Sequence, residues 1–189
     1  MILSIEYFPT VEFFAIAAQN PTVFLEAFEH YCKQSWRNRC RILSANGPLD
    51  LSFPVIHDGS SLITDIRVDY STPWVRKTQR AISSAYDNSP FFEYYRDSLF
   101  ALMDERPATL WELDMSLIHY FAGKIGLKTE FLPTSGYEGE DRVIHPKKAS
   151  DYKPREYWQV FSGKFGFVGG LSVMDLLFNE GPESLCILK

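Results

Sequence analysis

The first part of the chain alternates between short apolar runs and polar breaks, a pattern that predicts a strand, a helix and a second strand. Residues 1–7 are apolar and β-branched enough for the first strand. Thr10 is suited to cap the helix, and Asn20 with Pro21 ends it. Residues 22–28 have the composition of the second strand. The order strand, helix, strand predicts a βαβ unit whose two strands are parallel.

A β-hairpin is predicted around Asn46 and Gly47, because both residue types tolerate a positive φ angle. The apolar stretches 38–43 and 51–55 are its predicted strands. Residues 62–70 contain a further apolar pattern, which predicts one more strand.

From Trp74 onward the apolar positions recur at helical spacing. Residues 74–88 form the first predicted helix. Ser89 as N-cap and Pro90 as the first helical residue predict the start of a second helix, which continues to residue 105. A third predicted helix spans residues 109–126. Its first turn has capping-box spacing, and a glycine ends it.

The last third of the chain has a different character. Residues 127–132 predict a short strand, and Ser172 predicts the N-cap of a final helix. Between them, residues 133–157 carry Gly, Pro, Tyr and charges without a period, so we interpret them as a long loop. We therefore expect one α/β domain over residues 1–189, with flanking helices and an antiparallel hairpin.

The composition is that of an ordinary globular protein, with 46% hydrophobic and 23% charged residues among 189. The formal net charge of −5 disfavours nonspecific nucleic-acid binding, so any anion site must be a local patch. The three cysteines have neither an even count nor CxxC spacing, which argues against a disulfide framework or a zinc site. The four histidines show no metal-ligand spacing either.

The expected location is the cytoplasm. Reduced thiols fit that compartment. The N-terminal residues lack the basic region of a signal peptide, and no apolar run approaches the roughly 18 residues of a membrane span.

The segment 32–43, CKQSWRNRCRIL, gathers cations around one Trp and one Asn in an acidic protein. One interpretation is a basic edge strand, because Lys and Arg commonly protect sheet edges. The other is a site for an anionic ligand. A guanidinium group grips carboxylate or phosphate with two hydrogen bonds, and an indole ring stacks on planar or sugar surfaces. The pattern alone leaves both open.

Two other features carry weaker signals. His145 precedes Pro146 and two lysines in the stretch HPKK, which is more often a solvated loop than a site. Cys32 and Cys40 lie near His30 in sequence, but no base has a diagnostic spacing from either thiol. We predict that neither cysteine is a nucleophile.

Several blocks along the chain together resemble the WbqC-like family. They occur in one order: IEYFPTVEFF, KQSWRNRCRI, LSFPV, WVRKTQRAISSAYDNSPFFEYY, HPKK and FGFVGGLSVMDLLFNEGPESL. The resemblance implies a bacterial protein from a surface-polysaccharide or O-antigen context, whose reaction is poorly defined. The first blocks are also similar to the start of a nucleotidyltransferase-type Rossmann domain, which implies a Rossmann-like parallel core. The His-rich phosphate motif of those enzymes has no counterpart here.

The resemblance implies a set of site residues. The matched positions are Tyr7, Lys33, Trp36, Asn38, Arg39, Lys77, Ser172 and Asp175, to which we add His145 from the HPKK block. In this hypothesis Arg39 and Lys77 hold phosphate, whereas Trp36 and Asn38 orient the sugar or acyl group. Asp175 acts as base or orienting group, so Asp175 and Asn38 are the candidate catalytic residues.

The resulting functional hypothesis is an enzyme that modifies a precursor of surface polysaccharide, by acyl or aminoacyl transfer to a nucleotide-activated amino sugar. Its partner is a small molecule, such as a nucleotide sugar or an acyl carrier, and the sequence specifies no cofactor. The alternative is a non-catalytic binding or assembly protein with the same pocket. RNA binding is disfavoured by the charge and by the lack of an RNP-like motif.

These hypotheses predict specific geometry. Tyr7, Asn38, Arg39, Lys77 and Asp175 should meet at one concavity. Asn38 and Arg39 should be partly buried, with Asp175 as the partner of Arg39. The neighbouring Arg37 and Arg41 should be mostly solvated.

Overall fold

A computed structural model describes residues 1–56, 61–148 and 150–189 of the chain. The strands are β1 (Ile2–Leu3), β2 (Thr22–Leu25), β3 (Arg39–Ser44), β4 (Gly47–Ser52), β5 (Val55–Ile56), β6 (Arg67–Val68) and β7 (Glu130–Pro133). The α-helices are α1 (Val11–Ala17), α2 (Trp74–Tyr86), α3 (Phe92–Asp104), α4 (Leu110–Ile125), α5 (Ser162–Phe165), α6 (Val173–Glu180) and α7 (Ser184–Leu188). Short 3-10 helices occupy Trp36–Asn38, Ile63–Asp65 and Gly181–Glu183.

A three-stranded parallel sheet has the order β1, β2, β7, so it joins two N-terminal strands to a strand from the second half of the chain. The predicted parallel pair is confirmed, since Ile2 pairs with Phe24 in parallel register. The first strand ends at Leu3 instead of Tyr7, because the Tyr7 amide leaves the sheet and donates to the carbonyl of Trp36 at 2.9 Å. The third strand, β7, follows the three long helices in the sequence and pairs in parallel with β2.

The hairpin around Asn46 and Gly47 is confirmed as the antiparallel pair β3 and β4. Gly47 has a φ angle of +104°, the conformation for which a glycine is preferred. The strand predicted over residues 62–70 is confirmed only at Arg67–Val68, which is β6, and its first part is wrong. Ile63 and Ile66 are both fully buried three residues apart, a spacing that suits the 3-10 turn observed there better than alternation.

The three long helices confirm the helical period of the middle of the chain. The capping box of α4 is present, and Gly126 ends that helix in the left-handed region. The predicted N-cap at Ser89 is wrong. The Ser89 hydroxyl donates to the carbonyl of Tyr86 at the end of α2, and α3 starts only at Phe92.

The hydrophobic core is one continuous cluster that joins the sheet to the helices. The α6 residues from Val173 to Asn179 are all buried, so this helix runs through the interior instead of along the surface. Residues 134–148 and 150–161 contain no helix or strand, which agrees with the loop predicted for this region.

These observations support a single domain of mixed helices and strands, with a three-stranded parallel sheet and antiparallel hairpins. A Rossmann-like core stays a prediction. Among the described residues, no helix is long and apolar enough to cross a membrane.

Candidate functional site

Three segments that are distant in sequence lie side by side: residues 7–11, 36–41 and 171–173. The Tyr7 amide donates to the Trp36 carbonyl at 2.9 Å, which joins the first two segments. The third segment is joined to both by the hydrogen bonds Ser172 N to Arg41 O (2.8 Å) and Val173 N to Pro9 O (2.7 Å). Blocks from opposite ends of the chain therefore form one structural unit.

Beside this unit lies an open cavity of about 300 Å³. Trp36 and Arg41 line it from one side, and His145, Lys148 and Tyr152 line it from the long loop. The cavity thus combines two cations with two aromatic side chains and an imidazole. Such a lining suits a small anionic ligand that also offers a flat surface.

Arg41 is held in place on the wall of the cavity. Its guanidinium group donates to both carboxylate oxygens of Asp50, at 2.6 and 3.1 Å. Its Cζ atom also lies 5.4 Å from the centroid of the Trp36 ring, a cation–π contact. Asp50 is shared with Arg39, whose Nη1 is 3.6 Å from Oδ2. One carboxylate therefore faces two guanidinium groups, and one positive charge is left over for a ligand.

His145 is oriented by its own loop. Its Nδ1 accepts a hydrogen bond from the amide of Lys147 at 3.1 Å, so the neutral ring carries its proton on Nε2. Partial burial lowers the pKa of His145, and the positive charge of Lys148 lowers it further. Near neutral pH the imidazole is therefore uncharged, and its Nε2–H can donate to a ligand oxygen.

The acidic side chain on the cavity wall is already paired. Glu12 accepts hydrogen bonds from Arg142 at 2.9 Å and from the Ser150 hydroxyl at 2.7 Å. These contacts tie the long loop to the start of α1. They also reduce the repulsion that the carboxylate would exert on an anionic ligand.

The predicted meeting of the matched residues is only partly observed. Trp36 and His145 line the cavity, whereas Tyr7 is fully buried with its ring 4.7 Å from that of Phe53. The Asn38 amide group donates to the Phe53 carbonyl at 2.9 Å. Tyr7 and Asn38 thus both contact Phe53, and neither of them lines the cavity.

Two lysines of the hypothesis, Lys33 and Lys77, are exposed. Neither lines the cavity beside Trp36. Their proposed contact with substrate stays a prediction.

The prediction that Arg39 pairs with Asp175 is wrong. Arg39 points along the outer face of the hairpin, where alternation of side chains places it beside Arg41 and Asp50. Its side chain is 30% exposed. The partial burial predicted for Asn38 and Arg39 is confirmed.

The prediction that Arg37 is solvated is also wrong, because this arginine is the buried one of the segment. It lies in the 3-10 helix, whose turn directs it inward to Glu29 and Glu140. Its Nε donates to Glu29 Oε1 at 2.7 Å, and it also donates to the Ser4 hydroxyl at 2.6 Å. Arg41 is partly exposed instead of mostly solvated.

Asp175 lies in the first turn of α6, which Ser172 caps by accepting from the Met174 amide. Its carboxylate accepts from the hydroxyls of Tyr86 (2.9 Å) and Tyr157 (2.7 Å), and from the Gln159 amide (3.0 Å). Burial raises its pKa to about 6, although these donors oppose the shift. The group is 1% exposed, so its surroundings suit a positioning role.

The environment of Cys40 agrees with the prediction that it is no nucleophile. Burial raises the pKa of its thiol well above the usual range, and the nearby Asp50 raises it further. Cys32 is exposed. Among the described residues, no group of three His, Cys, Asp or Glu side chains could hold a metal ion.

Sequence reasoning missed Arg41, Lys148 and Tyr152 as cavity residues. The lysine is the last residue of the HPKK block, which was a usable signal. No sequence signal marked Arg41 or Tyr152. Only the folded chain shows which of the alternating arginines faces the long loop.

Comparisons with known proteins agree with the resemblance. A family model described as the WbqC-like protein family matches residues 5–150. An uncharacterized protein of Mycobacterium tuberculosis, Rv1507c, is 23% identical over 221 residues, covering 97% of this chain and 94% of that protein. No solved structure matches the chain.

Proposed function

Because this chain belongs to the WbqC-like protein family, we propose that it binds a nucleotide-activated sugar in the cavity beside Trp36 and Arg41. One observation carries the proposal. Two blocks of the sequence, SWRNRCR and HPKK, meet at a single cavity and present cations and an indole ring to it.

Each group on the cavity wall has a role that follows from its chemistry. Arg41 and Lys148 compensate the charge of a phosphate group, and the Nη1 of Arg41, which Asp50 does not engage, adds a directional donor. Trp36 supplies an apolar surface for a sugar or base. The Nε2–H of His145 donates to a phosphate or carbonyl oxygen.

The proposed reaction is acyl or aminoacyl transfer to an amino sugar, as part of surface-polysaccharide synthesis in the cytoplasm. Asn38 and Asp175 enter the proposal as positioning residues. Asn38 holds the chain after Trp36 against Phe53, and Asp175 holds residues 157–159 against α6. The parallel pair β1 and β2 around α1 supports a Rossmann-like core.

The alternative is a binding or assembly protein without catalysis, and one observation favours it. Transfer to an amine needs a base, but Glu12 is paired with Arg142 and the Nδ1 of His145 is occupied. Among the described residues of the cavity, the one carboxylate is held by an arginine through Oε1, and the one imidazole accepts a backbone hydrogen bond at Nδ1.

Calorimetric titration with UDP, UDP-N-acetylglucosamine and acyl-CoA tests the proposal. We expect UDP compounds to bind the wild type, and Lys148→Gln to weaken binding about tenfold through the loss of one phosphate contact. Lys128→Gln is the matched control, because Lys128 is also exposed but does not line this cavity. Equal affinities of both variants would place the ligand elsewhere.

A turnover assay then separates the two candidates. The wild type, saturated with a UDP-amino sugar and an acyl donor, is followed by mass spectrometry for an acylated product. Product formation that Arg41→Gln reduces supports the transferase. Tight binding without product, with either acyl-CoA or acyl carrier protein as donor, supports the binding protein.

A further inference from the structure

A serine hydroxyl, a carboxylate and a guanidinium group from distant parts of the chain meet beside the cavity that Trp36 lines. The Ser150 hydroxyl donates to Glu12 Oε1 at 2.7 Å. The same oxygen accepts from Arg142 Nε at 2.9 Å, and the Nη2 of that arginine lies 2.8 Å from it. Ser150 and Glu12 both line the cavity. A ligand held there therefore faces both the hydroxyl and its carboxylate acceptor.

The serine and the carboxylate differ in how firmly they are held. Glu12 lies in the first turn of α1, which Thr10 caps by accepting from the Phe13 amide. Only 8% of Glu12 is exposed, so its carboxylate is fixed by the helix and by Arg142. Ser150 is exposed and belongs to the long loop. The pair thus combines a rigid acceptor with an accessible hydroxyl group.

The oxygen atom of Ser150 also receives hydrogen bonds. The Tyr152 amide donates to Oγ at 3.0 Å, and Arg142 Nη2 donates to it at 3.4 Å. If the hydroxyl gives up its proton, these donors stabilise the negative charge that develops on the oxygen. A nucleophile in contact with a base, and a third group that orients the base, is an arrangement used in covalent catalysis.

We propose that Ser150 is the nucleophile of the acyl transfer, with Glu12 as its general base and Arg142 as the positioning residue that orients Glu12. Glu12 serves as the base despite its pair with Arg142, because its Oε1 already accepts the hydrogen bond from the Ser150 hydroxyl. The inference rests on the proposed function in taking an acyl thioester as donor and an amine as acceptor. It adds an intermediate in which Ser150 carries the acyl group as an ester.

In the first step, Ser150 Oγ forms a bond to the carbonyl carbon of the thioester, and its proton moves to Glu12. The Nε2–H of His145, which lines the same cavity, donates to the carbonyl oxygen as negative charge develops there. The carbon–sulfur bond then breaks, and the sulfur leaves as a thiol with the proton from Glu12. The products are an acyl ester on Ser150 and a free thiol.

In the second step, the amine of the acceptor sugar attacks the ester carbonyl and gives a proton to Glu12. The bond between the acyl carbon and Ser150 Oγ breaks, and Oγ takes that proton back. The products are an amide and the original serine, so the transfer needs no oxidant, reductant or further reactant. Two steps at one nucleophile predict ping-pong kinetics.

Acylation of the free protein tests the first step without any sugar nucleotide. The wild type is mixed with p-nitrophenyl acetate or with acetyl-CoA, and the release of p-nitrophenol is followed in the first case. We expect a burst of one p-nitrophenol per chain. Peptide mapping by mass spectrometry should find the acetyl group on Ser150. If neither donor leaves an acetyl group on Ser150, the inference is overturned.

Single substitutions separate the nucleophile from the base. Ser150→Ala should lose the burst, whereas Ser150→Cys should still carry an acetyl group at position 150, because a thiol can replace the hydroxyl. Glu12→Gln should slow acylation by about 10²–10⁴-fold, the usual contribution of a general base. Ser98→Ala is the matched control, because the exposed Ser98 hydroxyl contacts Tyr95 and Tyr120 instead of a carboxylate. A burst of equal size in Ser150→Ala and Ser98→Ala contradicts the inference.

A purely structural role predicts a different result, because the same contacts tie the long loop to α1. If the Ser150 hydroxyl only anchors the loop, Ser150→Ala lowers the melting temperature but acylates at the wild-type rate, and the inference is overturned. Arg142 contacts the base and not the donor, so Arg142→Gln should lower kcat for acylation and leave KM unchanged.

The inference and the proposed nucleotide site can fail separately. If Ser150 is acetylated but UDP compounds do not bind, the inference stands and the proposed sugar nucleotide is wrong. If UDP-N-acetylglucosamine binds but Ser150 is never acetylated, nucleotide binding stands and the inference is overturned.

Discussion

At the scale of single residues, two arginines two positions apart have opposite environments. Arg37 is buried between Glu29 and Glu140, whereas Arg39 reaches Asp50 on a partly exposed face. Removing one partner of a buried ion pair leaves an uncompensated charge, but a surface pair contributes little. The arginine that matters most for stability is therefore not the one that the sequence pattern selected.

We predict that Arg37→Ala lowers the free energy of unfolding by about 3–5 kcal/mol, because it leaves Glu29 and Glu140 without their cation. Arg39→Ala is the control and should change it by less than about 1 kcal/mol. Urea denaturation followed by circular dichroism measures both. Similar losses in the two variants would show that the buried network contributes no more than the surface pair.

At the scale of elements, the end of α6 depends on close packing against the start of α3. Gly181 follows α6 with a φ angle of +53°. A Cβ atom built there would lie 2.6 Å from the Phe91 ring, closer than side-chain atoms approach each other. The glycine is therefore needed both for its conformation and for lack of volume.

Gly181→Ala should accordingly destabilise the protein by about 1–3 kcal/mol, through overpacking against Phe91 and strain at positive φ. The matched control is Gly123→Ala inside α4, where nothing lies within 4 Å of the new Cβ. That change should stabilise by about 0.5–1 kcal/mol, since alanine favours the helix. Urea midpoints that shift in opposite directions from the wild type confirm the prediction. A lower midpoint in both variants contradicts it.

At the scale of the whole molecule, the buried acids determine how stability depends on pH. Burial raises the pKa of Glu6 to about 8 and that of Asp175 to about 6, and it raises that of Asp114 well above its usual value. The folded state therefore binds more protons than the unfolded state between pH 4.5 and 8. By linkage, stability falls as pH rises through this window.

We predict that the free energy of unfolding decreases between pH 6.5 and 8, by about 1.4 kcal/mol per pH unit for each buried acid that is protonated only in the folded state. The lowered pKa of His145 acts in the opposite direction, but only at and below pH 6.5. Glu6→Gln should reduce the slope, whereas Glu130→Gln, at an exposed position, should not. Stability that is flat or rises over this range in the wild type would refute the prediction.

The sequence by itself determined the elements that depend on a few neighbouring residues. The capping box at Thr109, the turn at Gly47 and the strand–helix–strand order at the N-terminus all follow from side-chain size, hydrogen-bonding groups and φ preference. The matched blocks likewise identified the family, which the comparison over residues 5–150 confirms.

Only the tertiary structure decided which of these residues share an environment. Whether Arg37 or Arg39 is buried depends on a 3-10 turn and on carboxylates from distant segments, and the short pattern contains neither. Asp175 accepts hydrogen bonds from Tyr86, Tyr157 and Gln159. The sequence alone could not show that these neutral donors, and not an arginine, are its partners. Contacts over long sequence separations depend on how the core packs, and a local pattern carries no information about that packing.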